Sequence, residues 1–247
     1  MATSIKNCCA VLAILFVLTF SWASQAADGW DAQRDELVQE IRQHVEMTQP
    51  LTGRGSLERR VMEALERVPR HEFVPDDVRD AAYENRPLPI GHGQTISQPY
   101  IVALMTDLLE TREDHVVLEI GTGSGYQAAV LAELVAHVYS IEIIKPLEQA
   151  VAERLDRLGY DNVTVRYADG YEGWEQHAPF DSIIVTAAGS HIPPPLVEQL
   201  KPGGRMILPV GGRFTAQHLV LVSKDDTGHV STRQILPVRF VPLTRDD

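Results

Sequence analysis

From His115 onward the chain alternates short apolar runs with longer amphipathic stretches, and this alternation limits the possible folds more than any other feature. Val116–Ile120, Val138–Ile144, Val163–Tyr167, Ser182–Thr186 and Arg205–Val210 have strand length. Helix-length stretches, from about Gln127 to Val135 and from about Leu147 to Leu158, separate the first three. Strands apolar throughout, not only at alternate positions, are buried on both faces. Strand-helix-strand succession of that kind means an α/β fold with a doubly wound, mostly parallel sheet. Two further strand-like runs, Leu219–Ser223 and Ile235–Val241, follow, and Thr227-Gly228 is the expected turn after the first.

Residues 28–110 read differently, as a helical N-terminal extension with irregular connections. Leu37, Ile41 and Val45 repeat every four residues in a charged background, the mark of an amphipathic helix. Ser56 is placed to cap a second helix carrying Leu57, Val61, Leu65 and Val68 and stopped by Pro69. Pro50 to Gly55 between them reads as a loop. Arg86 to Pro99, rich in proline and glycine, reads as a long irregular segment, after which helical spacing returns at Ile101, Leu104, Met105 and Leu108.

The first 26 residues resemble a secretory signal. Lys6 supplies the positive start, Cys8 to Phe20 is apolar apart from Thr19, and Ser24-Gln25-Ala26 offers small residues for cleavage. An apolar run of about 13 residues falls short of the roughly 20 needed to span a bilayer. The expectation is a signal peptide over 1–26 and a periplasmic or secreted protein without stable membrane insertion. Both cysteines, Cys8 and Cys9, would leave with it, and with them any disulfide, thiolate metal site or cysteine nucleophile. The expected layout is then a substrate-side segment over 27–110 and a ligand-binding core over 111–247. A net charge of −12 with no Lys/Arg run argues against nucleic acid as a partner. The nine histidines are scattered, and no zinc-binding helix pattern occurs, so no metal is expected.

The candidate ligand site is the turn Gly121-Thr122-Gly123-Ser124-Gly125, which follows the first core strand and opens a helix. Glycines let a backbone approach a ligand closely, and a helix N-terminus offers N–H groups. Glu142, 21 residues after Gly121, ends the second strand, where a carboxylate can accept both hydroxyls of a ribose. The Gly-x-Gly-x-Gly spacing differs from the Gly-x-Gly-x-x-Gly of dinucleotide sites and suits a ligand without pyrophosphate. Glu119 before the turn would repel phosphate and attract a cation, which fits the sulfonium and amino groups of S-adenosylmethionine. Asp169-Gly170, after the third strand, could read an adenine edge; a turn is the plainer role for Asp169. Ser124 lacks the flanking glycines of a serine-hydrolase elbow.

Beyond the turn, Leu88-Pro89-Ile90-Gly91-His92-Gly93-Gln94-Thr95-Ile96-Ser97-Gln98-Pro99-Tyr100 resembles the substrate-side signature of the protein-L-isoaspartate (D-aspartate) O-methyltransferases. Val117–Tyr126 is similar to their cofactor loop and Pro179–Ala188 to their fourth-strand segment. Leu200–Arg205, Leu208–Gly211 and Phe240–Leu243 resemble later segments, so the likeness runs from about residue 56 to 244. The signal-like front and Asp28–Gly55 depart from it; most of the family is cytoplasmic, which is the alternative location.

The resemblance implies a Rossmann-like class I S-adenosylmethionine-dependent methyltransferase that repairs damaged proteins. A methyl group would pass to the free α-carboxylate of L-isoaspartyl (and D-aspartyl) residues, and the ester would close spontaneously to a succinimide. By resemblance Ser97 lies beside the reacting carboxylate and orients it, although its place before Pro99 also suits a helix cap. Gln94, Thr95, Ile96 and Thr244 would join Ser97 in touching the cofactor. Thr186, Ala187 and Ala188 would line the peptide wall, with Pro193-Pro194-Pro195 stiffening the loop beside it. The implied partners are isoaspartyl-bearing proteins and peptides, met by a monomer. Two other readings stay open on the residues alone: a small-molecule methyltransferase on the same fold, and a non-catalytic nucleoside-binding protein.

Overall fold

The computed structural model describes residues 29–212 and 215–245; the signal-like segment lies outside them. The chain opens with helices α1 (Asp31–Thr52) and α2 (Arg59–Arg67), then a hairpin of β1 (Leu88–Gly91) and β2 (Gln94–Ile96), then α3 (Pro99–Leu108). The core runs β3 (Val116–Ile120), α4 (Tyr126–Ala132), β4 (His137–Glu142), α5 (Lys145–Arg157) and β5 (Val163–Tyr167). It continues with β6 (Phe180–Val185), α6 (Pro194–Glu198), β7 (Leu200–Val210), β8 (Gln217–Lys224) and β9 (Val230–Val238).

Seven strands form one sheet in the order β5-β4-β3-β6-β7-β8-β9. The first five are parallel and the last two antiparallel, so the doubly wound reading holds with an added meander. Strand residues alternate between two apolar layers, as a pleat requires. Val117, Ile184 and Ile207 join a cluster with residues of α1 to α5. Leu118, Ile183, Val185, Met206 and Leu208 join the opposite cluster with Trp174 and Leu196. Chain order reverses between β3 and β6, and the carboxyl ends of strands flanking such a switch point form a ligand crevice.

The extension departs from the sequence expectation in four places, each for a physical reason. Helix α1 continues through Pro50 to Thr52 and ends at Gly53, which takes the left-handed conformation at φ 72°. Ser56 caps nothing: Glu58 is the N-cap of α2, and its N–H donates to the buried Asp107 carboxylate at 2.7 Å. The segment expected to be irregular contains the β1–β2 hairpin, turned by His92 and Gly93 at positive φ. Gln98, not Ser97, is the N-cap of α3, and the Tyr100 N–H donates to the side chain of Asn85 at 3.0 Å. The triple proline forms the N-cap and first turn of α6, with Pro193 at the cap. The expected turn at Thr227-Gly228 is present, closed by hydrogen bonds around Asp225.

Candidate active site

The glycine turn lies over the switch point and is held by its own hydrogen bonds. Gly121 and Thr122 donate to the Ile141 carbonyl, Gly125 to that of Thr122, and Tyr126 to the Ser124 hydroxyl. Gly123 donates to Glu142 Oε2 at 2.8 Å, while Ile144 donates to Oε1 of the same carboxylate at 2.8 Å. These amides are therefore used inside the turn and do not form the open anion nest that a phosphate needs. Each carboxylate oxygen of Glu142 keeps capacity for a further donor. A Cβ on Gly121 would stand 2.6 Å from Thr186 Oγ1, so β3 and β6 meet here with room only for glycine. Thr186 binds the turn by donating to the Gly121 carbonyl at 2.6 Å.

Two cavities meet at this point. The first is a cleft lined by Gln94, Thr95, Gly121, Gly123, Glu142, Gly170, Thr186, Ala187 and Thr244, all expected at the site. The second is a groove lined by Thr95, Ser97 and Thr186 together with Pro237 to Val241. A narrow hollow between them touches Ile96, Ser97, Thr122, Gly123 and Ser124. Ser97 is half-buried on the groove side, and Thr95 and Thr186 face both cavities.

Four expected site residues have other work. Glu119 is fully buried beneath the turn and lines neither cavity. Its Oε2 accepts from the Ser140 hydroxyl at 2.5 Å, and burial pushes its carboxyl up to about 8. At neutral pH it is mostly protonated and cannot supply the attracting charge expected of it. Among the described residues, the acidic side chain that lines the cleft is Glu142. Gly125 lies where a Cβ would stand 2.4 Å from Val151, so its role is close packing against α5. Asp169 caps a short turn by accepting from the Tyr171 N–H at 2.9 Å, and Arg245 takes its other oxygen at 3.2 Å. Ala188 exchanges backbone hydrogen bonds with Val241 and Leu243 and anchors the C-terminal segment.

That segment was underestimated by sequence reasoning. Val241, Pro242 and Leu243 line the cleft beside Thr244. Arg70 was missed altogether. It is fully buried, and its Nη2 donates to the Ser97 carbonyl at 2.7 Å while Nε donates to that of Ala82 at 2.8 Å. Its guanidinium lies 4.7 Å from the Tyr126 ring centre, so one buried cation joins the Ser97 strap to the start of α4. Burial lowers it to about 10, which still leaves it charged at neutral pH. Its sequence surroundings, Pro-Arg-His-Glu, look like a surface turn and gave no signal.

Fold and site together define a class I, Rossmann-like S-adenosylmethionine-dependent methyltransferase. Residues 42–247 match the family model "Protein-L-isoaspartate(D-aspartate) O-methyltransferase". The chain is 62% identical over 237 residues to "Protein-L-isoaspartate O-methyltransferase 2" of Syntrophobacter fumaroxidans, covering 94% of this chain and 96% of the relative. It is 64% identical over 208 residues to a protein of the same name from a Polaromonas species, covering 84% and 99%. A solved protein-L-isoaspartate O-methyltransferase superposes with a TM-score of 0.74 at 28% identity, over 85% of this chain and 65% of that one. A putative protein-L-isoaspartate O-methyltransferase from Plasmodium falciparum, in complex with S-adenosyl-L-homocysteine, shares the fold at 23% identity and a TM-score of 0.70, covering 86% and 99%. The chain belongs to the protein-L-isoaspartate(D-aspartate) O-methyltransferase family.

Proposed function

We propose that this protein methylates the free carboxylate of L-isoaspartyl and D-aspartyl residues in damaged proteins and peptides, with S-adenosyl-L-methionine as donor. The carrying observation is the junction itself: a cleft containing Glu142 and a groove containing Ser97 meet at Thr95 and Thr186. The residues fit the donor. The turn uses the amides of Gly121, Thr122, Gly123 and Gly125 internally, and the cleft offers an acceptor carboxylate, which suits a nucleoside with free hydroxyls and a cationic centre. The open groove beside Ser97 suits a peptide better than a compact metabolite.

The bound donor supplies an electrophilic methyl group on a sulfonium. A carboxylate is already ionised at neutral pH, so no side chain has to remove a proton from the substrate. What the chain supplies is position. Glu142 would accept the ribose hydroxyls, Gln94, Thr95 and Thr244 would enclose the cleft, and Ile96 would close the hollow beside it. The Ser97 hydroxyl would orient the carboxylate, with Thr186 and Ala187 as the wall beside it. Alignment of this kind is worth roughly 7–11 kcal/mol of barrier in well-oriented reactions.

The test is methyl incorporation into a synthetic isoaspartyl peptide beside its aspartyl twin. The twin differs by one methylene in the backbone path, which moves the carboxylate as well as changing a contact. Discrimination should exceed the roughly 10–200-fold that a methylene gives in a simple pocket. Equal methylation of both would overturn the repair reading. We also propose export, on the strength of Lys6, the apolar run and Ser24-Gln25-Ala26. Fusion of residues 1–30 to a reporter active only outside the cytoplasm should give signal, and full-length protein in the cytosol would overturn export alone.

A further inference from the structure

The two cavities carry opposite charge. Among the described residues, Glu142 alone carries a charge on the cleft lining and Arg239 alone on the groove lining. Arg239 is exposed, and among the described residues no carboxylate pairs with it. That is unusual in this chain. The other described arginines are engaged, some with carboxylates, as Arg54, Arg205 and Arg245 are. Others donate to backbone carbonyls, as Arg60, Arg154 and Arg233 do. In a protein of net charge −12, a cation left without a partner is conspicuous.

The backbone that carries Arg239 is fixed on both sides. Before it, Val238 pairs with Gln217 in the β8–β9 ladder. After it, the Gln217 amide holds Phe240 twice: the Phe240 N–H donates to Oε1 at 2.6 Å, and Nε2 donates to the Phe240 carbonyl at 3.2 Å. One side chain thus copies a further strand rung and keeps the residue between at the groove wall. Across the groove lie Ser97, Gln98 and Ile101, all uncharged.

We infer that Arg239 is a specificity-determining residue that selects peptides with an acidic side chain near the isoaspartyl residue. The inference rests on the peptide-methylation reading above and names the substrate subclass for that site. An extended peptide whose reacting carboxylate lies by Ser97 must pass the Pro237–Val241 wall, and its flanking side chains meet Arg239 there. A single rim cation acts mainly through encounter and orientation, so its effect should be modest and screened by salt.

The experiment compares isoaspartyl peptides carrying Glu, Gln or Lys at each of the two positions on either side. For the wild type, kcat/KM should favour Glu over Lys by about three- to fivefold at the best position, the upper part of the range of an exposed ion pair. The preference should shrink in 0.5 M NaCl, because the Debye length falls toward about 3 Å at 1 M salt. Arg239→Gln should bring the ratio to about one, and Arg239→Glu should invert it. Fluorescence anisotropy with the same labelled peptides reads the preference without methyl transfer. A wild type that methylates no isoaspartyl peptide defeats the proposed function. A wild type that binds Glu and Lys peptides equally, or an Arg239→Glu variant that keeps the Glu preference, overturns the role of Arg239.

Discussion

The site has two walls built by different means. One is the end of the sheet, where β3, β4 and β6 present Gly121, Gly123, Glu142 and Thr186. Its contacts are short in sequence or run between adjacent strands, such as Gly123 to Glu142 and Thr186 to Gly121. The other wall is the strap from Gln94 to Gln98. It hangs on residues from elsewhere, Arg70 on the Ser97 carbonyl and Asn85 at the start of α3. A wall made by register needs no remote anchor, because the strand ladder has already placed its residues. A wall made by a short hairpin does, because two paired strands are marginal alone.

The strap should therefore break from a distance. Arg70→Met leaves the carbonyls of Ala82 and Ser97 without their donor, at about 1–3 kcal/mol for the buried Ala82 acceptor and less for the half-buried Ser97. We expect urea unfolding to show a loss of roughly 1–4 kcal/mol. Activity should fall even where the variant remains folded, and unchanged stability would show that the strap holds itself. The sheet wall should respond next. Glu142→Ala removes an acceptor from the cleft and should weaken donor binding by about 1.5–3 kcal/mol, the worth of charged hydrogen bonds, measured by calorimetry.

Glu119 gives the sheet wall a pH signature. Its carboxyl is raised by burial to about 8 from an ordinary 4.5, so the folded state holds the proton more tightly than the unfolded chain. Its contribution is greatest below about 4.5 and is lost as pH rises toward about 8. Between those limits it should cost up to about 1.4 kcal/mol per pH unit, and Glu119→Gln should flatten that slope in a series of denaturation midpoints. Equal slopes in the two proteins would show that Glu119 ionises freely. The smallest effect is expected at Ser97. Since it caps no helix, Ser97→Ala should change stability by less than about 0.5 kcal/mol. Its kcat should still fall, with donor affinity and the shape of the pH profile kept, because orientation is lost and no base is removed. A stability loss near 1 kcal/mol would restore the capping role.

The same division separates what could be read in advance from what could not. The apolar runs predict β3 to β7 because burial on both faces leaves a pattern in each run by itself. Gly121, Gly123 and Glu142 are legible because a turn after a strand and an acid at the next strand end keep a fixed spacing in any such fold. The strap from Gln94 to Gln98 is legible only by family likeness, since its residues follow no periodicity. Arg70, Asn85 and Gln217 are invisible in sequence: each acts on a partner 12 to 27 residues away. Glu119 misled for a related reason. The sequence shows a carboxyl beside a glycine turn, but only the packed structure decides whether water reaches it, and removal of water is what turns an expected charge into a neutral acid. Local pattern thus determined the sheet, the turn and the acid at the end of the second strand. Burial and long-range hydrogen bonds, which depend on how those parts close on one another, decided which polar groups carry charge and which hold Ser97 in place.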